Sequence, residues 1–235
     1  MTTCYGIGVG PGDPELLTLK ALRILRGVSV IAYPAPERGD SLARGIVAPH
    51  LPGGQIEIAI RMPLEAARFP AQAVYDRAAE AIGAHLRAGR DVVVLCQGDP
   101  FFYGSFMYLF GRLARDWTVE VVPGVSSLTA CAAALGAPLA ARDDALVVLP
   151  ATLPEAVLEA RLRDADAAAI IKLGRHGAKV RRVLDRLQLA DQARYVEHAS
   201  MASQRIARFA DVAADAIPYF AMVLVHRRGD AWRNP

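Results

Sequence analysis

The chain alternates short apolar runs with stretches of helical periodicity. The first half of the chain contains five such runs, each of a length suited to a buried β-strand. This order is typical of an α/β fold in which helices join largely parallel strands. The predicted strands are 4–9, 28–33, 55–60, 91–96 and 118–122, and the predicted helices are 14–25, 70–88, 105–115 and 126–135.

The segment 136–144 interrupts this rhythm with Gly136, Pro138 and the charged run Arg142, Asp143 and Asp144. We therefore place a linker here and predict two domains, 1–138 and 139–235, a division that the length of 235 residues permits. The second half again predicts about five strands, in a mixed sheet. They are 146–149, 167–173, 194–197, 205–209 and 219–225.

Composition fits a compact enzyme, with 53% hydrophobic and 22% charged residues. Nearly all cations are Arg, since Lys occurs only at Lys20, Lys172 and Lys179. Arg is the better bidentate partner for carboxylate and phosphate, although a GC-rich genome gives the same bias. An acidic substrate is permitted. With a net charge of +3 and interspersed acidic residues, nucleic acid is not expected as a partner.

Cysteine and histidine usage argue against disulfide and metal frameworks. The three cysteines form no C-x-x-C pair, and the five histidines show no metal-ligand spacing, so we expect no metal site. The N-terminus has no signal-peptide pattern, and no apolar run reaches the roughly 18 residues of a membrane helix. A cytoplasmic protein without membrane association is therefore expected.

A glycine-dense turn follows the first predicted strand, where residues 6–14 read GIGVGPGDP. Such a turn allows a ligand to approach the main chain closely. It fits neither the dinucleotide pattern G-x-G-x-x-G nor the Walker A pattern, because Pro11 or Asp13 takes the last glycine position and no Gly-Lys pair exists. A tight strand-to-helix turn without a ligand explains this segment alone equally well.

Two further loops follow the fourth and fifth strands, where residues 97–104 read QGDPFFYG and residues 123–127 read PGVSS. In open parallel sheets, ligands bind outside the carboxyl ends of strands, so the loops are expected to converge. Asp99 could meet an ammonium or a ribose hydroxyl, whereas Ser126 and Ser127 could equally cap a helix. In the following helix, Phe106 and Met107 are expected to be core residues.

The three motifs together resemble the tetrapyrrole methylases, in the same order and spacing, and the similarity extends over nearly the whole chain. The resemblance implies two αβα domains with S-adenosylmethionine in an active-site cleft between them, released as S-adenosylhomocysteine. It also implies a homodimer. The cofactor-binding residues it implies are Pro11, Gln97, Gly98, Asp99, Phe102, Tyr103, Ser126, Ser127 and Leu173.

Within that family, residues 98–109, 31–34, 41–44 and 218–220 are similar to the precorrin-2 C20-methyltransferases of cobalamin synthesis. Gln97 departs from the Glu expected there. The resemblance implies methylation of C20 of precorrin-2 to give precorrin-3A. The alternatives are a C20-methyltransferase that acts on a cobalt-containing acceptor, another tetrapyrrole methylase, and a tetrapyrrole carrier or sensor without enzymatic activity. The sequence identifies no candidate catalytic base. The candidate contacts to the substrate are Tyr33, Arg38, Arg44, Arg61, Arg142 and Arg175.

Overall fold

The chain is described from a computed structural model that covers residues 2–62 and 72–229. It divides into two compact units, Met1–Ser126 and Ser127–Pro235. Each unit contains one five-stranded sheet, and both sheets are covered by helices. The predicted two-domain α/β architecture is confirmed.

The first unit contains an all-parallel sheet in the order β3-β2-β4-β1-β5. Its strands are β1 (Thr3–Gly8), β2 (Val30–Pro36), β3 (Ile56–Met62), β4 (Val92–Cys96) and β5 (Thr118–Val122). Its helices are α1 (Leu19–Gly27), α2 (Leu42–Val47), α3 (Gln72–Arg87) and α4 (Phe106–Leu113).

Alternate side chains of the buried strand β4 fill two core layers, because successive residues of a strand point to opposite faces. Val92 and Val94 pack in the layer beneath α3 and α4, together with Leu109. Val93 packs in the opposite layer with Leu25 of α1. Both faces of the sheet are thus covered, which is the usual arrangement for parallel strands.

Strand β2 continues to Pro36, beyond the predicted end at Tyr33. Proline has no N–H for a sheet ladder, so the sequence favoured an earlier end. In the structure β2 pairs with β4 only over Val30–Ala32, while its pairing with β3 extends to Pro36. The prolines therefore lie where one side of β2 has no ladder to interrupt.

The helix predicted at 14–25 is divided. Asp13 caps a short 3-10 turn at Pro14–Leu16, with Asp13 Oδ1 accepting from the Glu15 N–H at 2.8 Å. The chain is extended at Leu17, and Thr18 then caps α1 by accepting from the Ala21 N–H. Two successive caps thus replace one continuous helix.

The second unit contains a mixed sheet in the order β6-β7-β10-β8-β9, as predicted. Strands β6 and β7 are parallel, whereas β10 is antiparallel to β7 and β8, and β9 is antiparallel to β8. The strands are β6 (Leu146–Pro150), β7 (Ala167–Ile171), β8 (Ala193–Glu197), β9 (Arg205–Arg208) and β10 (Ala221–His226). The helices are α5 (Ser127–Leu135), α6 (Glu155–Arg163) and α7 (Gly177–Arg186).

Helix α5 belongs to the second unit by its contacts. Its Leu128 and Cys131 pack in one core cluster with Val196 of β8 and Leu224 of β10. The division by contacts therefore falls after Ser126, whereas the Gly and Pro content of 136–144 places the predicted boundary after Pro138.

Within residues 2–62 and 72–229, no helix has the length and apolar character needed to span a bilayer. Across the same residues, His, Cys, Asp and Glu form no group of three that could hold a metal ion.

Candidate functional site

Three loops meet at the carboxyl edge of the first sheet. They follow the neighbouring strands β4, β1 and β5, so parallel order alone brings them together. The β1 and β4 loops are joined by reciprocal main-chain hydrogen bonds, from the Gly98 N–H to Gly10 O at 2.8 Å and from the Gly10 N–H to Gly98 O at 3.3 Å. The predicted convergence of the three motifs is thus observed.

Glycine is required where these loops touch. A Cβ on Gly124 would lie 2.2 Å from Gly98 O and 2.7 Å from the Cα of Gly8, and a Cβ on Gly8 would lie 2.5 Å from the Gly124 Cα. These neighbours are main-chain atoms, which cannot rotate away as a side chain can. Three main chains therefore approach more closely than any side chain would allow.

Gly98 is placed differently from the other two glycines. Its φ of +68° is left-handed, and a Cβ built there would meet no atom within 4 Å. The main chain at Gly98 thus has open space on one side and packed loops on the other. This is the arrangement expected where a ligand lies directly against the backbone.

The Asp99 carboxylate ties the β4 loop to the β5 loop. Its Oδ1 accepts from the N–H groups of Phe101 at 2.9 Å and Phe102 at 3.0 Å. Its Oδ2 accepts from the Gly124 N–H at 3.1 Å, across 25 residues of sequence. A carboxylate offers about four acceptor positions, so these three bonds leave roughly one for a ligand.

The remaining predicted cofactor residues of the first unit surround this point. Pro11 is buried, and its carbonyl oxygen accepts from Gln97 Nε2 at 3.4 Å. Phe102 and Tyr103 are exposed, with ring centroids 5.3 Å apart in an edge-to-face arrangement, and Tyr103 has a left-handed φ of 56°. Ser126 ends the β5 loop and is half-buried.

Two predicted cofactor residues lie in the second unit. Ser127 is exposed and begins α5. Leu173 follows β7 and is 0% exposed, packed in the core cluster that also contains Val180 and Ile217. A cofactor contact at Leu173 stays a prediction, and this burial means that it needs a local rearrangement.

Phe106 and Met107 illustrate how a helix divides neighbouring residues. Phe106 is buried, and its ring lies where a Cβ on Gly6 would stand, at 2.2 Å. Met107 is exposed, contrary to the core role expected from its apolar character. Successive residues of a helix point in directions about 100° apart, because a turn takes about 3.6 residues.

Of the predicted substrate residues, Tyr33 and Arg44 share one carboxylate, that of Glu57. Tyr33 donates its hydroxyl to Glu57 Oε2 at 2.7 Å, and Arg44 binds Glu57 through Nη2 to Oε1 at 2.9 Å and Nε to Oε2 at 3.2 Å. The hydrogen bond from Arg44, followed by that from Tyr33, lowers the pKa of Glu57. Arg44 is thus already engaged in a bidentate ion pair.

Arg61 supports the loop between β2 and α2. Its Nη1 donates to Pro36 O at 3.0 Å and to Gly39 O at 2.9 Å. Arg38 is exposed on that same loop, so Tyr33, Arg38, Arg44 and Arg61 lie around one loop of the first unit. Arg142 and Arg175 are exposed in the second unit.

The cysteines are buried thiols. Burial raises the pKa of Cys4 and of Cys131 to about 12, and it also raises the pKa of Cys96, the last residue of β4. A thiol is nucleophilic as its thiolate, so none of the three is primed for covalent chemistry. The arrangement suits binding and orientation of reactants.

One end of the second sheet carries residues that were not among the predicted site residues, although 218–220 belong to one of the motifs that carry the resemblance. Lys172, His198 and Ser200 have φ values of 57°, 50° and 66°, and they follow the carboxyl ends of the parallel strands β7 and β8. The exposed pair Tyr219 and Phe220 precedes β10, and the His198 N–H donates to Phe220 O at 2.9 Å. Left-handed residues other than glycine often mark functional sites, but they leave no signal in sequence.

The class of protein follows from comparison with known families. The model of the Tetrapyrrole (Corrin/Porphyrin) Methylases matches residues 3–211, and the chain therefore belongs to that family. The family predicted from the three loop motifs is confirmed.

Individual relatives refine this assignment. The Precorrin-2 C(20)-methyltransferase of Sinorhizobium sp is 42% identical over 228 residues, which cover 94% of this chain and 93% of that protein. The Cobalamin biosynthesis protein CobIJ of Mycobacterium tuberculosis is 45% identical over 231 residues, covering 95% of this chain and 46% of that protein. The chain therefore spans about half the length of this second relative.

A solved structure supports the fold over the full length. The Uroporphyrin-III C-methyl transferase from Thermus thermophilus, complexed with S-adenyl homocysteine, has a TM-score of 0.71 and 26% sequence identity. The similarity covers 96% of this chain and 97% of that one.

Proposed function

We propose that the protein is an S-adenosylmethionine-dependent methyltransferase that methylates C20 of precorrin-2 to give precorrin-3A. The observation that carries this proposal is the 42% identity, over 94% of the chain, to a relative named Precorrin-2 C(20)-methyltransferase. The geometry of the first unit supports the cofactor half of the proposal, because its three loops form the backbone-lined edge described above. The product of the cofactor is S-adenosylhomocysteine.

The residues at this edge fit a nucleoside with an amino-acid tail. The open side of Gly98 admits the ligand against the main chain, and Asp99 has roughly one acceptor position left for a hydroxyl or ammonium. The exposed rings of Phe102 and Tyr103 offer apolar surface beside Asp99. The proposed contact residues are Pro11, Gln97, Gly98, Asp99, Phe102, Tyr103, Ser126, Ser127 and Leu173.

In this reaction the protein mainly has to orient the methyl group of the cofactor towards C20 of the acceptor. When bound, the cofactor supplies a methyl group that its sulfonium already activates, so the new bond to C20 forms as the bond to sulfur breaks, and C20 then loses its proton. Well-oriented reactants gain up to about 7–11 kcal/mol over a bimolecular encounter. Loops held by main-chain hydrogen bonds suit this task, and the absence of a primed thiol among the three cysteines agrees with direct transfer.

Arginine residues are proposed to bind the carboxylates of the macrocycle. Arg38 is exposed, whereas Arg44 already binds Glu57 and Arg61 binds two carbonyl groups. Exposed ion pairs are screened over about 10 Å at roughly 0.1 M salt. Binding of the acceptor should therefore weaken with salt more than binding of S-adenosylhomocysteine does. Equal salt dependence would instead favour shape and apolar stacking as the source of affinity.

The central experiment is an anaerobic incubation of the pure protein with precorrin-2 and S-adenosylmethionine labelled with carbon-13 in its methyl group. We expect one added methyl by mass and a carbon-13 signal at C20. Uroporphyrinogen III should remain unmethylated, and the cobalt complex of the acceptor tests the metal preference. A label at C2, C7 or C17 would overturn the position. Ligand binding without any transfer would favour a carrier or sensor.

The proposal extends to a homodimer in the cytoplasm. The three free cysteines agree with a reducing compartment. Sedimentation equilibrium tests the dimer, and fractionation of the source cells tests the compartment.

A further inference from the structure

Asp99 stands out because its side chain is occupied almost entirely by the protein's own main chain. Three N–H groups point at the carboxylate, two from its own loop and one from Gly124 in the β5 loop. Hydrogen bonds to an ionised acceptor are about twice as strong as neutral ones. The carboxylate therefore holds the turn of its own loop and bridges to the neighbouring loop.

The bridge lies where the loops approach most closely. Gly124 is so near Gly98 that a Cβ on Gly124 would stand 2.2 Å from Gly98 O. The Gly124 N–H and the Asp99 Oδ2 are 3.1 Å apart at this contact. The bond thus fixes the distance between the β5 loop and the residue that presents its open main chain, Gly98.

The geometry points to Asp99 as a positioning residue, whose carboxylate sets the spacing of the β4 and β5 loops and so shapes the surface that the cofactor contacts. This inference rests on the proposed cofactor. It takes the place of the direct contact proposed for Asp99 above, in which the carboxylate binds a hydroxyl or the ammonium group of the ligand. The two roles predict different responses to the same substitutions.

Asp99→Asn separates the two functions of the side chain. The amide oxygen can still accept from Phe101 and Phe102, but the amide nitrogen then faces the Gly124 N–H, and two donors cannot bond. The matched control is Asp91→Asn, because Asp91 Oδ1 accepts from the Thr3 N–H at 2.7 Å just before the other end of β4. Asp91→Asn changes a similar hydrogen bond between a carboxylate and a main-chain N–H, but at the end of β4 opposite to the loops.

The first test needs no ligand. Hydrogen exchange of the Gly124 amide should be slow in the unmodified protein and about tenfold faster or more in Asp99→Asn, because a bond to a charged acceptor is lost. In Asp91→Asn the Gly124 amide should stay protected. Free exchange at Gly124 in the unmodified protein, or equal protection in Asp99→Asn, would overturn the inference. The measurement on the unmodified protein stands even if the variant does not fold.

The second test compares ligands by calorimetry. A positioning role predicts that Asp99→Asn weakens S-adenosylhomocysteine by about tenfold and weakens its 2′-deoxy, 3′-deoxy and deaminated analogues by the same factor. A direct contact predicts that the factor falls towards one for the analogue that lacks the contacted group, which would overturn the inference. If the unmodified protein binds none of these ligands, the proposed cofactor fails, and the exchange result alone decides whether Asp99 ties the loops.

Discussion

The two sheets present the carboxyl ends of their parallel strands in opposite ways. In the first unit, Gly8, Gly98 and Gly124 allow main chains to touch, and one carboxylate joins the loops. In the second unit, the unusual backbone positions after β7 and β8 carry full side chains, Lys172 and His198 among them. At the edge of the first sheet, glycines without side chains allow close contact between main chains. At the edge of the second sheet, residues with side chains occupy positions with an unfavourable left-handed φ.

The two edges should respond to substitution in opposite ways. A left-handed conformation costs a residue other than glycine on the order of 1 kcal/mol, and such strain persists only where the surroundings impose it. Adding a side chain should therefore damage the first edge, and removing one should relieve the second.

The largest effect is expected for Gly124→Ala. Its Cβ would meet the carbonyl oxygen of Gly98 at 2.2 Å, so the loops must separate, and we expect a loss of about 3 kcal/mol or more in the free energy of unfolding. Urea denaturation measures this loss. The control is Gly111→Ala within α4, where a Cβ meets nothing within 4 Å and alanine should stabilise by roughly 0.5–1 kcal/mol. Equal effects of the two substitutions would remove the contrast.

A smaller effect of opposite sign is expected for His198→Gly in the second unit. Glycine adopts the φ of 50° without strain, so the free energy of unfolding should rise by about 0.5 kcal/mol. The exposed Ala202 lies nearby, has no left-handed φ, and should lose stability on Ala202→Gly. A loss above roughly 1 kcal/mol in His198→Gly would show that the imidazole contributes more than the strain costs.

The smallest effect concerns the exposed carboxylate of Glu57, which contrasts with the loop-joining carboxylate of Asp99. Arg44 and Tyr33 lower the pKa of Glu57, so its contribution to stability is present above the ordinary pKa of 4.5 and is lost as pH falls through the lowered value. Glu57→Gln should cost about 0.2–0.4 kcal/mol at neutral pH, since exposed ion pairs contribute little.

Denaturation of the unmodified protein and Glu57→Gln between pH 3 and 7 checks this prediction, with the difference narrowing below about pH 4.5. The exposed Glu37, for which no ion pair occurs among the described residues, supplies the control Glu37→Gln. A gap between the unmodified protein and Glu57→Gln that stays constant with pH would show that the ion pair does not stabilise the fold.

The sequence predicted the two sheets well, because buried strands produce short apolar runs at regular spacing. It predicted individual ends less well. Thr18 and Ser41 each cap a helix, α1 and α2, yet the sequence reading merged the first with a preceding turn and missed the second. Cap residues also occur in ordinary loops, so their residue type alone does not identify the start of a helix.

The sequence likewise predicted some features of the candidate site and not others. Glycine acts at these loops through its lack of a side chain, a property that the sequence shows directly. The three glycine-containing loop motifs could therefore be predicted from the sequence. The bond from Gly124 to Asp99 joins residues 25 apart, and that from Arg44 to Glu57 joins residues 13 apart. Such pairs depend on how the strands align in three dimensions. The left-handed φ of Lys172 likewise comes from its surroundings.

The position of β10 in the second sheet has a consequence for how the protein is synthesised. This strand lies between β7 and β8 and pairs with both, although every other described strand precedes it in sequence. On the ribosome, the strands of the first unit are all available once Val122 has emerged, whereas the second sheet remains two separate pairs until His226 does. Until then the facing edges of β7 and β8 have unpaired main-chain groups, the kind of edge that promotes association between nascent chains.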